Sequence, residues 1–159
     1  MPAGSTYTPI ATTTLGSAVS FYTFSSIPST YTDLVLIINP NSTVDNMNFQ
    51  FNGDTGTNYS NTWLFGSGTT ASSTRGTNRT TIAGTVSSGV EIVRFQIMNY
   101  SNTTTYKTTL NRADDAANYV GTNVGLWRST AAINSVSIVA GTGNLPSGLM
   151  ATLYGIQAA

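Results

Sequence analysis

The stretch Asn46 to Asn52 reads Asn-Met-Asn-Phe-Gln-Phe-Asn, with Met47, Phe49 and Phe51 on alternate positions and amides between them. Successive side chains of a strand point to opposite faces, so this spelling specifies a strand with one apolar and one polar face. A helical turn would carry Phe49 away from its two partners. Similar blocks recur along the chain at roughly ten-residue intervals, the spacing of sandwiches and barrels. Val19 to Phe24 alternates, and Val90 to Met98 sets Val93, Phe95 and Ile97 against Arg94 and Gln96. Asp33 to Asn39 holds the continuous apolar run Leu34 to Ile38, suited to a strand buried on both faces, and Pro40 ends it. Segments around Thr62 to Phe65, Tyr106 to Leu110, Val124 to Arg128, Ile133 to Val139 and Leu149 to Ile156 complete the set. Ala113 to Tyr119 is the one place where a helical turn fits, and Gly66 to Ser88 is the longest polar stretch. The expectation is an all-β, single-domain β-sandwich, jelly-roll-like, with eight or nine strands.

The chain has 159 residues, the size of one domain, and can bury about two-thirds of its unfolded surface without disulfide staples. Residues 1–16, with Pro2, Pro9 and the run Thr12-Thr13-Thr14, read as an irregular N-terminal arm; residues 17–159 read as the sandwich. The apolar positions Tyr7, Pro9, Ile10 and Leu15 make that arm the expected partner-binding element.

Charge sets the next limits. Only 8% of residues are charged, against about 25% in ordinary domains, and six Lys and Arg balance six Asp and Glu. Such a chain has no electrostatic footprint for nucleic acid or anionic lipid. The longest apolar run is far shorter than the roughly 20 residues of a membrane-spanning helix. With no His and no Cys, thiolate nucleophiles, Ser-His-Asp triads and nearly all zinc sites are out of reach. Thr, Ser, Asn and Gly fill the space instead; Thr suits strands, and the other three suit turns. Hydrophobic residues still make up 40% of the chain and gather in blocks, which favours a folded domain over a disordered one.

Few residues offer chemistry. Asp114 and Asp115 are adjacent, so in extended chain they face opposite ways, and a glycosidase pair would need two carboxylates on one cleft. Asn52-Gly53-Asp54-Thr55-Gly56 is oxygen-rich, as calcium loops are, but holds one carboxylate; a plain turn explains it as well. Asn-x-Ser/Thr triplets begin at Asn41, Asn58, Asn78, Asn99 and Asn102, a frequency that chance supplies in so Asn- and Thr-rich a chain. Arg75, Arg79, Arg112 and Arg128 are either solvated surface charges or a means to hold an acidic partner or a sugar acid. Tyr22, Tyr31, Tyr59, Trp63, Tyr100, Tyr106, Tyr119 and Trp127 are either a stacking surface for sugars or core and subunit contacts. No catalytic residue, metal or cofactor is expected, and the chain reads as a non-enzyme. Low charge with many aromatics predicts a homotrimer, because interface cores are charge-depleted and aromatic-rich.

Several stretches resemble small structural proteins of tailed bacteriophages, cyanophage-like ones especially. Pro9 to Leu15, Phe24 to Pro28 and Tyr31 to Leu36 are similar to that family's opening. Phe51 to Ser60 is similar to its central loop, and Trp127 to Ile133 with Leu153 to Ile156 to its close. The resemblance implies a β-rich, oligomeric subunit carried on the virion, and it brings no catalytic residues. Two roles follow. One is a capsid decoration, or cement, protein that binds the major capsid protein or other virion proteins and stabilises the shell. The other is a tail-fibre or receptor-binding domain that recognises a host surface glycan. The chain is too short for a fibre shaft with an attachment domain, which favours decoration.

Overall fold

The computed structural model describes residues 6–41, 46–84, 92–115 and 119–157. Twelve strands run through them: β1 (Tyr7–Thr14), β2 (Phe21–Phe24), β3 (Asp33–Asn39), β4 (Met47–Phe51), β5 (Tyr59–Ser67), β6 (Thr70–Arg79), β7 (Ile82–Ala83), β8 (Ile92–Met98), β9 (Lys107–Asp115), β10 (Tyr119–Trp127), β11 (Val136–Ala140) and β12 (Met150–Ile156). They form two antiparallel sheets, of eight strands in the order β1-β12-β3-β8-β9-β10-β5-β6 and of four in the order β2-β11-β4-β7. The expected β-sandwich is therefore the fold, with more strands than the eight or nine expected.

The alternations become a shared core. Leu34, Leu36 and Ile38 of β3 and Val93, Phe95 and Ile97 of β8 meet Met47, Phe49 and Phe51 of β4, all buried. Phe49 stacks on Phe95 with ring centroids 3.9 Å apart, which ties the small sheet to the large one. Val35, in the middle of the continuous run, is also buried, although it belongs to the opposite face of β3.

Four pairings follow one another like the rungs of a single long hairpin: β1 with β12, β2 with β11, β3 with β8, and β4 with β7. The remaining strands are two hairpins spliced into it, β5–β6 between β4 and β7, and β9–β10 between β8 and β11. Both join the large sheet beyond β8, so that sheet overhangs its partner. The small sheet ends at the two-residue β7, seated on β10 where Gly125 leaves room; a Cβ there would lie 2.7 Å from Ile82. Asn111 and Asn123, cross-strand partners on the inner face, donate to the Gly84 and Ala83 carbonyls at 2.5 Å each. Those bonds satisfy backbone groups that the end of the small sheet would otherwise bury alone.

Three expectations change. Tyr7–Thr14 is not an irregular arm but the edge strand β1, paired along its length with β12. Pro9 is tolerated because an edge strand leaves one row of N–H positions unused, and the register shifts between Pro9 and Ala11. Within the polar stretch 66–88, Thr70–Arg79 forms β6, the opposite edge of the large sheet. Ala113 to Asp115, expected in a helical turn, belong to β9. Residues 1–5, Val90 and Glu91 lie outside the described residues.

Candidate functional site

The overhang creates a cleft. Where the small sheet stops at β7, the inner face of β5 and β6 continues uncovered, and a hollow of about 320 Å³ opens between them. Its floor is Asn61, Trp63, Thr74, Gly76 and Arg79, and its wall includes Asn48 and Thr81. The register puts Asn61 opposite Gly76 and Trp63 opposite Thr74. Gly76 lets two head groups converge: a Cβ there would meet Arg79 Nε at 2.7 Å and Asn61 Oδ1 at 3.2 Å. Trp63 is fully buried at the floor, and its Nε1–H has no acceptor among the described residues. A buried donor without a protein acceptor costs about 1–3 kcal/mol. No carboxylate lines the cleft among the described residues.

The second surface is the outer face of the large sheet. Leu64, Ile92, Val120 and Val124 are each at least half exposed, and Leu110 nearly so. The register gathers them: Val124 stands opposite Leu110, and Leu64 opposite Thr122, across β5, β10 and β9. Arg112 and Thr122 border two hollows on this face. One, of about 320 Å³, is walled by Leu64, Ala71 and Val120; the other, of about 130 Å³, by Arg94, Gln96 and Leu110. Arg112 pairs with Asp114 at 3.1 Å, and Arg94 donates to the Tyr7 hydroxyl at 3.0 Å. The face is thus apolar patches around arginines that already have partners.

The residues expected to bind a partner are placed differently. Tyr7 and Pro9 are exposed on β1, with Tyr7 edge-on against Tyr154. Ile10 packs against the core, and Leu15 is a buried member of it, its N–H bonded to the Leu149 carbonyl. A side chain sealed in the core cannot also reach a neighbour, so Leu15 is removed from the docking set. Of the aromatics, Tyr59, Trp63, Tyr100 and Trp127 are core residues.

The oxygen-rich loop after β4 is a latch. Asn52 and Gly53 both have positive φ, and the Asp54 N–H closes the turn on the Phe51 carbonyl, the pattern of a type I′ turn. Asp54 then accepts from Trp127 Nε1 at 2.6 Å, from Gly56 N at 2.8 Å and from Asn58 Nδ2 at 3.0 Å. Burial works to raise its pKa, but these donors outweigh burial and hold the carboxyl below its ordinary value. Tyr59 OH donates to the Asp54 carbonyl, and burial, aided by the nearby Asp54 charge, pushes the phenol up to about 12. Lys107 is buried too, donating to the carbonyls of Thr105 and Thr130, and burial lowers its pKa. Among the described residues, no three His, Cys, Asp or Glu side chains gather into a metal-ligating group.

Sequence reasoning pointed to Arg79 and Trp63 separately and missed Asn48, Asn61 and the outer-face patch. The exposed Leu64, Leu110, Val120 and Val124 were a legible signal, since each sits one position out of phase with its strand's buried residues. In sequence comparison the chain matches no protein-family model and no curated protein.

Proposed function

We propose that this chain is a virion structural protein of the capsid-decoration type, which binds the shell by burying the outer face of its large sheet. The observation that carries this reading is the apolar patch of Leu64, Leu110, Val120 and Val124 on that face. Monomeric proteins rarely leave large contiguous apolar surface to water, and a patch rimmed by polar residues marks a protein interface. The resemblance of the chain to phage structural proteins supplies the setting, with the major capsid protein or other virion proteins as partner. The nested strand order is what we read as a jelly roll, with β5–β6 and β9–β10 as insertions. Fold alone assigns no role. The insertions matter because they contribute most of the patch.

A homotrimer belongs to the same reading: part of the patch closes the trimer and the rest meets the shell. Such contacts bury apolar area rather than pair distant charges, so attachment changes little between low and high salt. The test is position and copy number on purified particles, by labelled electron microscopy and quantitative mass spectrometry. Copies spread over the head in numbers comparable to capsomers support decoration. A few copies at the tail put the glycan-recognising tail domain in its place.

A further inference from the structure

The cleft beside β7 faces the opposite way from the docking patch, across the thickness of the large sheet, so either can exist without the other. Its chemistry is specific. Arg79 carries the cleft's one formal charge, and its side chain makes no ion pair among the described residues, where the described pair is Arg112–Asp114. A guanidinium is a rigid fork matched to the two oxygens of a carboxylate. Beside it, over Gly76, lies Asn61 Oδ1, with Thr74 further along the floor and Asn48 and Thr81 on the wall. An amide side chain both donates and accepts, as a sugar hydroxyl does, so a pair of amides suits vicinal hydroxyls. Among the described residues Asn48 Nδ2 makes one hydrogen bond, a long 3.4 Å contact to the Asn46 carbonyl, which leaves it available to a closer acceptor. At about 320 Å³ the hollow is near the lower end of the roughly 300–1,000 Å³ range of small-molecule sites, and so suited to one sugar ring rather than a chain.

We propose that this cleft binds a single acidic sugar residue, a hexuronic acid whose carboxylate sits on Arg79 and whose hydroxyls meet Asn61 and Asn48. Trp63 closes the floor beneath these groups, so its indole reports on a ligand seated above it. The strand register fixes this geometry: Gly76, Asn61, Trp63 and Thr74 come from two paired strands, and Arg79 is the last residue of β6.

The test titrates the full-length, ¹⁵N-labelled protein with glucuronate, glucose and acetate, following the Trp63 indole and Arg79 Nε signals. Glucuronate should give a saturable shift at both, about tenfold tighter than glucose or acetate, the value of one charge-assisted bidentate contact. R79Q should remove that advantage, and R79K, which keeps the charge but not the fork, should lose most of it. N61A should weaken glucuronate and glucose alike. Arg79 is exposed, so the two Arg79 variants should keep the parent unfolding midpoint. Acetate as tight as glucuronate would mean a bare anion site, and glucose as tight would mean no role for Arg79. Either result overturns the proposal, as does the lack of a saturable shift with glucuronate.

Discussion

Replacing Asp54 by Ala should destabilise the protein by about 2–4 kcal/mol at neutral pH, a large effect for one half-buried side chain. The magnitude follows from the three donors it serves. Trp127 is buried, its Nε1 lies 2.6 Å from the carboxylate, and nothing replaces that acceptor when the side chain is cut back. A hydrogen bond to a charged group contributes about 1.5–3 kcal/mol net. Gly56 and Asn58 are exposed, so water takes over their bonds and the further loss is about 0.5–1 kcal/mol. For a domain of this size each kcal/mol moves Tm by about 2–4 °C, so the expected drop is about 4–16 °C. D54N retains one acceptor oxygen and should lose about half as much. The assay is urea unfolding followed by tryptophan fluorescence from pH 7 down to pH 2. The Asp54 pKa is depressed in the folded state, so its contribution is present above the ordinary carboxyl value of 3.8 and fades as pH falls through the lower folded value. The gap between parent and D54A should therefore narrow towards pH 2, to about the share that D54N retains. A neutral-pH difference below about 0.5 kcal/mol, or a difference that stays constant on acidification, would refute the latch.

Tyr59 titrates in the opposite sense: its folded pKa of about 12 exceeds the ordinary 10, so stability is complete below pH 10 and is lost as pH rises through 12. The loss should be about 1.4 kcal/mol per pH unit across that window, and Y59F should show a shallower alkaline slope in denaturant titrations. Gly125→Ala should cost about 1–3 kcal/mol by thermal melting, because its Cβ would lie 2.5 Å from Thr109 Oγ1 and 2.7 Å from Ile82. Removing residues 1–16 should lower the melting temperature, not spare the sandwich. It strips β1 from β12 and takes Leu15 from the core, and Leu15→Ala alone should cost about 2–5 kcal/mol in the same assay.

The strands with alternating apolar residues were legible because burial on one face leaves its period in the sequence. Met47, Phe49 and Phe51 in β4 and Val93, Phe95 and Ile97 in β8 are buried as their spacing required. β1 and β6 left no such mark. Both are sheet edges, and β6 lies in the overhang, so Thr, Ser and Gly suffice where no second sheet packs. The same overhang hid the cleft. Arg79, Trp63 and Asn48 come from three strands, and no spacing along the chain reveals that β7 stops short of β5 and β6. Asp54 was noticed as an oxygen donor, but its partner Trp127 is 73 residues away, joined to it by the fold alone.

Charge placed in the middle of the large sheet's outer face would block docking there. Val124→Asp with Leu64→Asp puts two carboxylates where apolar contact is proposed, at positions exposed enough to leave folding intact. Purified capsids lacking the protein would be titrated with parent and double variant, and bound copies counted by quantitative gel densitometry. The docking account predicts near-saturating occupancy for the parent and little for the variant, at equal melting temperatures and with little dependence on salt. Full occupancy by the variant, with its fold intact, would contradict it.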